Sequence, residues 1–455
     1  MHNTDTITLS GSDLTVQMVQ SVANGARVTL APEGLQVMQR ARRVLEQAAD
    51  KGQPIYGVTT GLGPKVVEAL PQDAIDHFSV NTIRGRTHGV GNALPTAWVR
   101  AGMAVRVNTL LTGAAGVRPE LAEHLALCLN RQFTPCIPQT GTIGVADLNW
   151  GGAFGSALLG EGLALTSEGR VIDAAEALAT AGIAVLTPQR REGLALVSHS
   201  CFTAGISAVA LCALQRSYTA AQLAAALSME GFRANVAALD SRALAVRPQQ
   251  GQQQAASQLR QHLQQSALLD PGAARRLQDP LSIRNIAQVH GSVQATLNTL
   301  SQAIADEING ASDNPAVLVD DNLVLSHGGY LPVYLCIALS STLQAMVHLA
   351  ALQVSRISKL LFERFSGLSN GLTTAGSDGA GLAPLMKTAE SLYAEISHLA
   401  TPAPVYPGLS ADGLEDVVTH AAIPAQATLG ISHRLNRLSA IEMLVALQAI
   451  DVRDN

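Results

Sequence analysis

Long Ala- and Leu-rich stretches near residues 100–112, 119–131, 152–167, 202–229, 285–310 and 333–362, separated by Gly/Pro loops, set the strongest limit on what this chain can become. Each reads as a helix, and several exceed the average globular length. A long helix that is apolar over much of its circumference cannot be covered by one neighbour. The pattern therefore predicts a multi-helix bundle with further burial against other copies of the chain. Only 3% of residues are aromatic, and Ala, Leu, Gln and Val dominate, a balance that favours packed helices over sheets. The fold expected is mainly α. Residues 1–105 form a smaller mixed α/β region, with strand-like pieces at Thr6–Leu9 and Arg27–Leu30 and a helix over Glu33–Asp50; residues 106–455 form the long-helix bundle. The Gln-rich piece 249–265 reads either as a linker or as an exposed helix.

With 47% apolar and 14% charged residues, the chain has enough material for a large buried core. A net charge of −5 leaves no basic footprint for phosphate backbones, so nucleic acid is not an expected partner. The most apolar stretches, around 201–228 and 331–354, are broken by Ser, Thr, Gln and His before they reach an uninterrupted run of ~18 residues. They read as core helices and not as membrane spans. The opening MHNTDTITLS has neither a basic leader nor an apolar core, which gives the expectation of a cytoplasmic protein. Five cysteines, odd in number and without metal-ligand spacing, read as buried thiols. The twelve histidines do not cluster with acids or cysteines, so no metal site is expected.

Several segments could carry chemistry. Tyr56-Gly57-Val58-Thr59-Thr60-Gly61-Leu62-Gly63 presents a phenol in a glycine loop able to close over a ligand; alone, such a loop is more often only a turn. The run Gly141 to Gly152, containing Trp150, is either a ligand-facing helix start or a tight inter-helix connection. Arg284, in QDPLSIRN, is either a carboxylate clamp or half of a structural ion pair. The polar run Glu307 to Pro315 reads most simply as a helix end and an Asx turn. Lys387 is one of only four lysines against twenty-six arginines, and Glu415-Asp416 adds an acidic pair; a surface lysine is the plainer reading of the first.

In this order and at these spacings, the pieces resemble the aromatic amino acid ammonia-lyase superfamily, the histidine, phenylalanine and tyrosine ammonia-lyases. The resemblance runs through YGVTTGLG, Arg106-Val107-Asn108-Thr109-Leu110, GTIGVADL, LLGEG, QDPLSIR, EINGASDNP, Phe362-Glu363-Arg364 and Pro402-Ala403-Pro404-Val405. It implies a homotetramer whose sites are shared between subunits and whose substrate is a small molecule. It further implies Tyr56 as the base that removes a β-proton, Arg284 as the carboxylate ligand with Asn309 beside it, Glu415 facing a polar ring, and Tyr330 where relatives place a Phe.

The departures are as informative. Relatives carry an Ala-Ser-Gly run that cyclises to methylidene-imidazolone; here the place reads Val145-Ala146-Asp147, with no serine to dehydrate. The family's Asn-Gly is Ser198-His199, an expected Tyr is Leu281, and an expected His aligns with Arg86, with His88 two places on. Without the electrophile, the leaving group must depart unaided, as a quaternary trimethylammonium does when it becomes neutral trimethylamine. The combination resembles the ergothionase branch of the family, which lacks the prosthetic group and splits ergothioneine into thiourocanate and trimethylamine. That resemblance implies Lys387 as a ring contact paired with Glu415, and no cofactor. The aromatics in matched segments that could cage the methyl groups are Tyr56, Trp150 and Tyr330, with Trp150 equally read as plain packing. Other readings are a lyase of this family with another substrate, and a non-catalytic member.

Overall fold

The computed structural model describes residues 6–374 and 378–454, the side chains of 72–76 excepted. By contacts the chain divides into two compact units. The first comprises Met1–Cys212, Ser301–Ile337 and Ala403–Ala425; the second comprises Ala213–Leu300, Ala338–Pro402 and Gln426–Asn455. Three of the divisions fall inside Cys201–Phe232, Ile286–Asn309 and Val333–Leu361, and another inside Ala422–Asp454, so none coincides with a linear cut at 105. Val105 itself lies in the helix Thr96–Leu110, which is buried without interruption from Val99 to Leu110. Contacts between segments distant in sequence, and not a linker, decide the division.

In the first unit, Thr6–Leu9 pairs in parallel with Arg27–Leu30, Thr6 opposite Arg27 and Leu9 opposite Leu30. The connecting helix Val16–Ala23 starts where the Thr15 side chain accepts from the Met18 amide, a conventional N-cap. The helix Pro32–Asp50 opens on a proline, whose missing N–H costs nothing at that position, and buries Met38, Ala41 and Leu45. The helix foreseen over 152–167 runs instead over Leu148–Leu158: Gly160 takes φ +70° and Leu163–Leu165 becomes a strand paired with Val171–Asp173.

A buried ion network ties this unit together. Arg106 forks onto Asp313 at 2.8 and 2.9 Å, both side chains wholly buried, and also donates to the Ala195 carbonyl. Arg191 donates to the carbonyls of Ala115, Asn314 and Pro315, each at 3.0 Å. Burial alone would raise the Asp313 carboxyl; Arg106 and Arg191 beside it bring it below its usual value. The pair is a geometric pin on the 313–315 turn more than a source of net stability.

The second unit is a bundle of long helices in which some buried polar groups pair with one another, while others, among them Ser282 Oγ and His290 Nε2, have no hydrogen-bond partner among the described residues. Arg356 and Glu442, both wholly buried, bond at 2.5 Å, and the Ser228 hydroxyl donates to the same carboxylate at 2.8 Å. Gln353 donates to Ser439. The Gln-rich piece holds the helix Gln252–His262, which buries Ala255, Ala256 and Leu259. Its Gln252 amide bonds the carbonyls of Leu244 and Arg247, so this segment is packed structure.

Candidate active site

One cleft of about 370 Å³ in the first unit gathers Tyr56, Arg86, Asn314, Tyr330 and Glu415 with Ser198 and the apolar side chains Leu62, Val145, Leu148, Leu194 and Leu414. Tyr56 sits on a loop folded onto its own backbone. The Ile55 carbonyl accepts the amides of Val58, Thr59 and Thr60, and Thr59 Oγ1 accepts the Ile55 amide while donating to Gln53 O. Gly57 has φ +68°, a backbone conformation that favours glycine, and a Cβ there would press on the tip of the Leu194 side chain. The Gly63 amide donates to the Tyr56 phenolic oxygen at 3.1 Å.

Opposite lies the Gly144 to Asp147 turn. Gly144 and Ala146 take φ +73° and +53°. The Ala146 amide donates to the Tyr330 carbonyl at 3.1 Å, which couples the turn to the segment carrying that phenol. The turn is held from behind as well: the His420 amide donates to Ile143 O, and Thr419 Oγ1 to Gly144 O. Asp147 caps the helix Leu148–Leu158, and its buried carboxylate accepts from the Thr203 amide and hydroxyl at 2.8 and 2.7 Å. Burial pushes that carboxyl up to about 6, with the Thr203 bonds opposing. His199, beside the lining Ser198, is wholly buried: Nδ1 accepts the Cys201 amide and Nε2 faces Leu196 O, an arrangement that fits the neutral ring protonated on Nε2. Burial holds its pKa down at about 3.

Glu415 opens the short strand Glu415–Val417, paired with Pro407–Ser410. Burial raises its carboxyl and Arg86 lowers it. Burial raises the Tyr330 phenol, and the neighbouring Tyr56 and Glu415 raise it further.

Tyr56, Tyr330 and Glu415, singled out from the sequence, thus share one cleft. The other candidates do not line it. Asn309 is occupied elsewhere: its Oδ1 accepts the Leu14 amide at 2.8 Å and its Nδ2 donates to Leu14 O and Ala305 O, anchoring a helix end. Asn314, five residues on, takes the place in the cleft; its Oδ1 accepts the His327 amide, which leaves Nδ2 as the donor. Trp150 is fully buried, with its indole N–H donated to Pro138 O at 2.9 Å, so it packs and does not cage. His88 is exposed, and Arg86, two residues earlier, faces the cleft instead. Arg284 and Lys387 are exposed on the second unit, at the end of Leu281–Arg284 and near the start of Leu385–Leu399. Asn314 and Arg86 were missed as site residues although both lie in segments already marked; register within a loop decided the matter.

Comparisons with known proteins place this geometry. The family model for aromatic amino acid lyases matches residues 14–455. The chain belongs to the aromatic amino acid lyase family. Histidine ammonia-lyase from Symbiobacterium thermophilum is 33% identical over 443 residues, which cover 97% of this chain and 87% of that one. Among solved structures, ergothionase from Treponema denticola, described as an ergothioneine-degrading enzyme in complex with desmethyl-ergothioneine sulfonic acid, superposes with a TM-score of 0.92 at 27% identity, covering 99% of this chain and 91% of that one. Histidine ammonia-lyase from Trypanosoma cruzi gives 0.89 at 28% identity, covering 98% and 85%. The fold is accordingly the long-helix fold of these lyases, and lyase chemistry is the family's.

The residues at 145–147 do not suit methylidene-imidazolone. The segment has no β-hydroxyl to lose as water, and the carboxylate of Asp147 is bonded to Thr203.

Proposed function

We propose that this protein is a carbon–nitrogen lyase that works without methylidene-imidazolone and eliminates trimethylamine from ergothioneine or a related histidine betaine. The observation carrying the reading is the cleft itself: a phenol with a donor on its oxygen, a second phenol and a carboxylate converge on a turn that has no serine from which to make the electrophile.

The chemistry follows from the leaving group. Tyr56 takes the β-proton; the C–H electrons form the Cα=Cβ bond, and the C–N electrons depart with neutral trimethylamine. No proton need be delivered to the amine and no electrophile need activate it. Tyr330, beside apolar Val145, Leu148 and Leu194, offers an aromatic and aliphatic wall to the methyl groups. Glu415 accepts from a ring N–H, and Asn314 Nδ2 is placed to donate to the substrate. The likeness to the solved structure of an ergothioneine-degrading enzyme supports the substrate class.

Arg284 and Lys387 enter the reading through a homotetramer in which other copies of the chain complete each site, Arg284 at the substrate carboxylate and Lys387 at the ring. Purified protein incubated separately with ergothioneine, hercynine, histidine, phenylalanine and tyrosine, with trimethylamine and ammonia both assayed, tests the proposal. Trimethylamine from the betaines and no ammonia from the amino acids is the expected result. Ammonia from histidine would replace the proposal with ordinary deamination.

A further inference from the structure

We propose that Arg86 sets the specificity of the cleft by seating an anionic sulfur carried on a five-membered nitrogen heterocycle whose ring N–H faces Glu415. The inference deepens the elimination reading and rests on it for the identity of the ring.

Arg86 follows the helix Gln72–Arg84, with its amide bonded to Ile83 O at 3.0 Å. Its backbone is fixed by close packing: a Cβ on Gly152 would stand 2.4 Å from the Arg86 carbonyl oxygen. The side chain is half-buried and makes one long hydrogen bond, Nη1 to Thr82 O at 3.4 Å. A guanidinium carries five N–H donors in a planar fork, so most of this one is offered to the cleft. Among the described side chains lining that cleft it is the sole cation. Burial lowers its pKa while Tyr56 and Glu415 raise it, which puts both within electrostatic reach; an arginine remains charged regardless.

The walls therefore present a carboxylate and a guanidinium together. A thioimidazole matches that pair, because its ring N–H donates to the carboxylate and its electron-rich sulfur accepts from the fork. A plain imidazole leaves the guanidinium in a half-buried position with no ligand partner. Selectivity then comes from that unpaired donor as much as from the bond gained. Lysine is a poor substitute because it lacks the planar fork.

The test compares ligands that differ only in the sulfur. Steady-state kcat/KM by trimethylamine release is measured for ergothioneine and hercynine with wild type, Arg86→Lys and Arg86→Met. Calorimetric affinity is measured on the same proteins for thiourocanate and urocanate, with thermal unfolding as a check on folding. The expected result is a wild-type preference for the sulfur-bearing member of each pair that falls roughly 10–100-fold in Arg86→Met and is partly kept in Arg86→Lys. Equal losses on both members, or an unchanged preference, would overturn the assignment. Should wild type release trimethylamine from neither betaine, the elimination reading fails on its own, and the affinity ratio for the thiourocanate and urocanate pair still decides the role of Arg86.

Discussion

Tyr56 is the residue on which the proposed chemistry turns, because it is the phenol of the cleft that a backbone amide addresses directly. Tyr56→Phe keeps the ring and its packing and removes the base, so kcat/KM is expected to drop by roughly 10²–10⁴ with an unaltered melting curve; undiminished turnover would remove Tyr56 from the mechanism. Lys387→Met is expected to reduce turnover of the thiol substrate without affecting the fold, since the side chain is exposed within the chain; unchanged kinetics would exclude it from the site. At this scale the sequence was legible where a residue type has few uses. A tyrosine among glycines and an acid in a short strand were found. Asn309 was expected from the family resemblance; it ends the helix Ile286–Asn309, whereas Asn314 lies in the turn held by the buried Arg106–Asp313–Arg191 network and lines the cleft.

The elements were more legible than their contacts. The helices Pro119–Asn130, Ile286–Asn309 and Val333–Leu361 fall where Ala/Leu periodicity predicts them, since helix formation is a local property. What periodicity cannot express is how closely two elements approach. In the first unit, a Cβ on Gly205 would lie 2.5 Å from the Gly102 amide nitrogen, and one on Gly193 would lie 2.1 Å from Ser79 O. Gly205→Ala is expected to cost about 1–3 kcal/mol by overpacking, read as a lower midpoint in urea; a neutral outcome would mean the two helices can separate freely. His199 adds a pH dependence. Its folded pKa of about 3 lies below the ordinary 6.5, so between those values the unfolded chain binds the extra proton and stability is lost as pH falls. That contribution is about 1.4 kcal/mol per pH unit below 6.5. In His199→Phe, the decline in stability from pH 7 to 5 should be shallower than in wild type, and an identical slope would show that His199 does not carry it.

For the whole molecule, the apolar helix Val333–Leu361 is informative, because its most apolar window is only 44% buried within the chain. Val333, Tyr334 and Ile337 remain 42–59% exposed. A surface of this kind on a long helix calls for a partner, and the proposed function assigns Arg284 and Lys387 to the site of another copy of the chain. Light scattering is expected to give about four times the 47.4 kDa chain mass; a monomer retaining full activity would remove both residues from the reaction. Association with other copies is legible in the apolar circumference of such helices, but which side chains a partner would bring to a site leaves no periodic or local trace and was read only through family resemblance.

The central claim is elimination of a pre-charged amine by a protein that lacks the built-in electrophile. The most direct measurement pairs intact mass with product analysis on one preparation given ergothioneine. The account predicts a mass equal to that of the unmodified chain together with equimolar trimethylamine and thiourocanate. A mass deficit of two waters, or ergothioneine recovered intact after prolonged incubation, would contradict it.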